Sequence, residues 1–192
     1  MPEAPEVDTD RLQEIVSEET REERRSIQWV AMTTAVLAAV AAVTSLFAGS
    51  TVNEALVLKN ESTKLQAEAS DQWAYYQAKG IEAAIQDSIA AAWTAAGRTA
   101  PPDAMRKKAK EQGEQHTIEA KARSLERERD ARSSEGDRLL ERHHALAAAV
   151  ALSQVAIALG AVAALARSRA VWLGSLALGV LAVGLAASAL LR

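Results

Sequence analysis

Histidine is the side chain best suited to bind a metal or carry a proton near neutral pH, and this 192-residue chain has three, His116, His143 and His144. Adjacent residues on a helix point about 100° apart, so His143 and His144 cannot close on one ion as an i,i+4 pair would. Beside Arg142 they read instead as anchors that hold a helix at a lipid headgroup layer. Carboxylates are plentiful, yet every one lies in a polar segment, and none sits inside an apolar stretch where a proton relay or ion site would need it. The chain has no cysteine, which removes thiol chemistry and disulfide stapling together. No nucleophile, base and orienting group are collocated, and no phosphate-binding motif occurs. The expectation is a protein that is not an enzyme, with no catalytic residues, metal or cofactor. Its net charge of −3 offers no basic excess for a nucleic acid partner.

The segments that position these groups are dominated by three apolar stretches, 27–49, 145–166 and 170–191. Each is uncharged and long enough, at about 1.5 Å per residue, to cross a hydrocarbon core of roughly 30 Å. The last two are joined only by Arg167, Ser168 and Arg169, which makes them a tight antiparallel pair. The first is too long for the apolar part of a cleaved leader and reads as a signal anchor. Basic flanks set the orientation: Arg24 and Arg25 precede the first stretch, and Arg167 and Arg169 fill the short joint. Trp29 and Trp172 lie just inside the apolar stretches on that same side, as interfacial indoles do. The expected topology is a multi-pass protein of the bacterial inner membrane with its N-terminus cytoplasmic. Segment 1–26, with nine carboxylates against four arginines in its first 25 residues, reads as an acidic tail. Within it Asp10 is suited to cap a short amphipathic helix carrying Leu12, Ile15 and Val16, which would serve as a docking helix if ordered.

Between the first and second stretches, 50–144 reads as a long antiparallel helical hairpin, periplasmic in that topology. Its first arm is rich in Ala, Gln and Glu and has no proline up to the turn at 97–103. There Gly97 can take a left-handed C-cap, Pro101 and Pro102 stop the helix, and Asp103 is suited to cap the next. A heptad runs along the second arm through Ile118, Leu125, Leu139 and Leu146, with Ala122, Arg129, Gly136 and His143 at the i+4 sites and Arg132 intruding. On the first arm Leu58 and Leu65, then Ala74, Ala78, Ile81, Ile85, Ile89 and Ala92, recur at helical spacing, with Trp73 and Tyr76 on an adjoining stripe. Alanine-rich seams bury little area, so two such arms invite packing against further chains. The second arm holds ten acidic and eleven basic residues from Asp103 to Arg142, the balance of a solvated face. The whole reads as an all-α membrane protein of three transmembrane helices with a coiled-coil-like hairpin between the first and second.

Inside the apolar stretches, Gly160 with Ala164 and Ser175 with Gly179 have the small-xxx-small spacing that lets helices approach closely. Hydroxyls at Thr33, Thr34, Thr44 and Ser45, with Gln154, are the polar groups at depth. They suit back-bonding or interhelical bonds, or, in the alternative of an oligomeric channel or transport component, the lining of a path.

The block Ser70-Asp71-Gln72-Trp73-Ala74-Tyr75-Tyr76-Gln77-Ala78-Lys79-Gly80-Ile81 resembles the signature of an uncharacterised bacterial membrane-protein family catalogued as a domain of unknown function. The resemblance extends to Asn53-Glu54-Ala55, the charged return arm and the paired C-terminal stretches. It implies a bacterial origin and no mechanism; this chain lacks the His-rich tail that some members carry. Trp73, Tyr75 and Tyr76 occupy three headings around one turn, so they cannot all face one partner helix. They pack within the hairpin or form a contact spot for another subunit. The functional expectation is an assembly or scaffold protein, a homo-oligomer or an accessory subunit of a larger membrane complex, whose partners are membrane lipids and protein chains.

Overall fold

The structure, a computed structural model, describes residues 9–191, and all of its regular elements are helices. They are α1 (Thr9–Ala95), α2 (Pro102–Ala166) and α3 (Arg169–Leu191), each containing a segment long and apolar enough to cross a membrane. Helix α1 is 87 residues long because nothing in it breaks a helix: it contains no proline, and the charged segment before the first apolar stretch is rich in Glu and Arg. Asp10 lies within α1. Leu12, Ile15 and Val16 also lie within α1, and the apolar face expected of their side chains lies outside what the structure describes.

Helix α1 ends in a Schellman turn. Gly97 takes φ 71°, its N–H donates to Thr94 O at 3.0 Å, and the Arg98 N–H reaches back to Trp93 O at 3.0 Å. The Arg98 guanidinium lies 5.7 Å from the centre of the Trp93 ring, which adds the side-chain contact that usually accompanies this turn. Helix α2 starts at Pro102, whose preset φ and missing N–H suit a first helical position. Asp103 consequently sits inside the first turn and does not cap it; its Oδ1 accepts from Arg106 Nη2 at 2.6 Å. Between α2 and α3, Arg167 adopts φ 49° and the Ser168 N–H bonds Ala163 O at 3.2 Å. The Ser168 hydroxyl then accepts the Val171 N–H at 3.5 Å, the bond of an N-cap.

The chain divides into two compact units, Met1–Thr51 with Glu141–Arg192, and Val52–Leu140. In the first unit segments of all three helices pack on small residues. The Thr34 hydroxyl and the Ser175 hydroxyl both crowd the place where a side chain on Gly160 would begin, at 2.6 and 3.4 Å, and Leu37 fills the space over Gly179. Ser175 Oγ donates to Ala156 O at 2.6 Å, and the Trp172 indole N–H to Thr33 Oγ1 at 3.3 Å. Thr34 and Thr44 return their hydroxyls to carbonyls four residues earlier, so these polar groups are satisfied within the bundle. Buried Ala149, Ala156 and Ala163 on α2 and Ala182 and Ala189 on α3 repeat every seven residues. Leu146, packed with Ala48 and Ala189, is the one large side chain fully enclosed among the described residues. Leu46, Val36 and Leu165 are exposed, so these segments carry an apolar outer surface.

Candidate interaction surface

The second unit pairs a stretch of α1 with a stretch of α2 through cross-links whose residue numbers rise on one side as they fall on the other. Lys59 Nζ meets Asp137 Oδ1 at 2.7 Å and donates to Ser133 O at 3.1 Å. Arg132 lies 3.5 Å from Glu61, Arg129 bonds Gln66, and Lys108 Nζ meets Asp87 Oδ1 at 2.6 Å. Between these ties Ala55, Leu58, Ser62, Ala69 and Ala83 of α1 and Ile118, Ala122 and Leu125 of α2 are buried, and half of them are alanine. At Gly136 the backbones approach closely, 3.4 Å separating Ala55 O from the position a Cβ would take. With so little apolar area available at about 25 cal/mol per Å², the polar ties do most to fix which residues face each other.

Lys79 is the most heavily tied of these groups. Its Nζ lies 2.7 Å from Glu111 Oε2, 2.9 Å from Glu114 Oε2 and 3.1 Å from Glu82 Oε2, and only 13% of its side chain is exposed. Hydrogen bonding to Glu111, then to Glu114 and Glu82, raises the ammonium group well above the ordinary lysine range. The same contact, with Lys79 as the main cause and Glu111 second, lowers the Glu82 carboxyl. A lysine among three carboxylates holds a helix pair in register only while it stays charged.

The aromatic block splits. Trp73 turns toward α2 and its indole N–H donates to Glu126 Oε1 at 2.9 Å, while Arg123 stacks at 5.7 Å from its ring. Tyr76 meets Trp73 edge to face at 5.5 Å and its carbonyl accepts from Gln115 Nε2 at 3.1 Å. Tyr75 faces out, 48% exposed, with Lys79 5.5 Å from its ring centre.

On α2 the heptad reads as the spacing suggested: Ile118, Ala122, Leu125 and Gly136 are buried and Leu139 is half-buried. On α1 the outcome differs beyond Leu65. Ile81 and Ile85, placed on the seam by their spacing, are 63% and 51% exposed, and Ala74, Ala78 and Ala92 are exposed with them. The seam instead continues the phase of Leu58 and Leu65 through Gln72, Lys79 and Gln86, with Ala69, Tyr76 and Ala83 between. Sequence reasoning passed over these positions because a lysine and two glutamines do not look like a seam; the unbroken seven-residue step from Leu58 was the available signal. What remains is an α1 with two stripes, one zipped to α2 and one facing solvent.

The remaining residues singled out by spacing lie in the first unit. Gly160, Ser175 and Gly179 are buried at helix contacts and Ala164 is half-buried. Of the anchors, His143 Nδ1–H donates to Ala48 O at 2.9 Å, and Arg142 Nη2 donates to Leu190 O at 3.2 Å, satisfying a carbonyl left open at the end of α3. The His144 ring lies 5.7 Å from that of His143 and is exposed. Arg24, Arg25, Trp29, Arg167 and Arg169 are exposed, whereas Trp172 is half-buried by its bond to Thr33. Among the described residues no group of histidines and carboxylates is placed to hold a metal.

A family profile described as a domain of unknown function (DUF4337) matches residues 26–192. No curated protein and no solved structure matches the chain.

Proposed function

Because the chain belongs to the DUF4337 family, which has no assigned function, we propose a role from its own geometry: a non-enzymatic scaffold of the bacterial inner membrane that gathers protein chains on a helical hairpin. In this reading three transmembrane helices fix the protein in the bilayer, with the N-terminus cytoplasmic. The antiparallel, coiled-coil-like hairpin stands on the periplasmic side, and the protein works as a homo-oligomer or as an accessory subunit of a larger membrane complex. The observation that carries the proposal is the division of labour on α1. One face is locked to α2 by Lys59, Trp73, Lys79 and Asp87, while the opposite face offers the exposed apolar side chains of Ile81, Ile85 and Ile89, with Glu82, tied to Lys79, as the charge at its edge. A solvated arm with no partner would place charges there, as the outer face of α2 does.

Mild-detergent extraction from the native membrane followed by native mass spectrometry tests the proposal. It predicts a mass above that of one 20.4 kDa chain, as a whole multiple or with a constant partner. A lone chain with nothing bound overturns it, and ion flux through liposomes holding the pure protein would favour a channel or transport component instead.

A further inference from the structure

The outward face of α1 is itself a seam. Ala78, Ile81, Ile85, Ser88, Ala92 and Ala95 follow one another at alternating steps of three and four, the spacing of the a and d positions of a coiled coil, and every one is exposed. Residues 72–97 contain only three charged side chains, and each is already engaged: Lys79 with Glu82, Glu111 and Glu114, and Asp87 with Lys108. This second stripe can therefore accept a helix, since only a helix repeats at that spacing, and the helix must be nearly uncharged, since nothing on the stripe could pair a buried charge.

We propose that the stripe from Ala74 to Ala95 docks the same stripe of a second copy of this chain, the two α1 helices lying parallel with like residues opposite. The inference rests on the membrane-scaffold reading above and names its contact surface. A self-pairing surface needs to complement only itself, and this one does. Its alanines let two helices come close, Ile81 and Ile85 make adjacent central layers, and the flanking positions bring no like charges together. The parallel sense follows from membrane insertion, because two copies with one topology present α1 in one direction. A strip of about 22 residues is roughly 33 Å long and about 10 Å wide, so pairing hides on the order of 300 Å² per copy, well below the roughly 800 Å² per partner of a stable soluble interface. The contact therefore holds when the spans confine both copies to one bilayer and raise their effective concentration.

The absence of cysteine makes the test clean. Full-length chains carrying one introduced cysteine are oxidised in native membranes, at Ile81→Cys, Ile85→Cys and, on the outer face of α2, Ala120→Cys. The expected result is at least a fivefold excess of disulfide-linked dimer at the first two positions over the third, abolished by adding Ser88→Glu to Ile85→Cys. Equal cross-linking at all three positions, or none at Ile81 and Ile85, overturns the stripe pairing. If native mass still shows an oligomer in that case, the scaffold reading survives and only its surface was misassigned; a lone chain removes both. Cross-linking of Ile81→Cys to a different protein overturns self-pairing in favour of a foreign helix.

Discussion

The Trp73 indole donates to Glu126 across 53 residues of sequence, at 2.9 Å, and in doing so turns the aromatic block of α1 inward. Tyr76 follows by packing edge to face on Trp73, and Tyr75, one position earlier, is left facing out. The bond also sets the phase of α1: with Trp73 toward α2, the isoleucines at 81 and 85 must point away.

Replacing Trp73 with Phe keeps the ring and removes the donor, leaving a half-buried carboxylate without its partner. A hydrogen bond to a charged group of this kind contributes about 1.5 to 3 kcal/mol. Thermal unfolding of the full-length protein in detergent should show that loss for Trp73→Phe and much less further loss when Glu126→Gln is added. Additive losses in the double variant would mean that the bond carries no energy.

Lys79 gives the second unit a defined pH window. The Glu82 carboxyl is lowered in the fold, so its contribution is complete above the unfolded glutamate value of about 4.3 and disappears as pH falls through the lower folded value. The Lys79 ammonium is raised, so its contribution is complete below the unfolded lysine value of about 10.4 and is lost as pH climbs above it toward the raised folded value. The network is therefore at full strength between these limits. In Lys79→Met the three carboxylates repel one another, and stability should rise as pH falls from 7 toward 4, a range over which the parent network's contribution stays flat. Circular dichroism melts across that range measure the slope; parallel slopes in the two proteins would contradict the assignment.

Gly160 is tightly enclosed, the Thr34 hydroxyl standing 2.6 Å from where its Cβ would be, whereas Gly174 has open space on that side. Gly160→Val should force the helices apart and cost about 1 to 3 kcal/mol, the usual range for overpacking. Gly174→Ala, on the open face, should be tolerated. Resistance to unfolding in detergent of increasing strength separates the two. Equal loss in both would show that Gly160 does not lie at a close contact.

The chain's helical character, its three apolar segments and its turn at Gly97 were legible because each depends on local chemistry: uncharged length, absence of breakers, and one residue able to take positive φ. The heptad of α2 was legible for the same reason. The facing seam of α1 was not, because α1 carries two stripes of equal period and hydrophobicity favours the wrong one. Ile81 and Ile85 are more apolar than Gln72 and Lys79, yet the latter face α2 because Glu111 and Glu114, 32 and 35 residues further on, supply the charges that Lys79 needs. That choice is made by residues distant in sequence, where spacing along a single helix carries no information. The capping role expected of Asp103 failed more simply, since Pro102 already begins the helix.

The most direct test of the assembly role is to count subunits in single complexes by stepwise photobleaching of a fluorescently tagged full-length chain in native membranes, for the parent and for Ile81→Glu/Ile85→Glu. Two or more bleaching steps in the parent, falling to one in the variant with its helicity unchanged, is the predicted result. A single step in the parent, with no second protein co-purifying, would contradict the account.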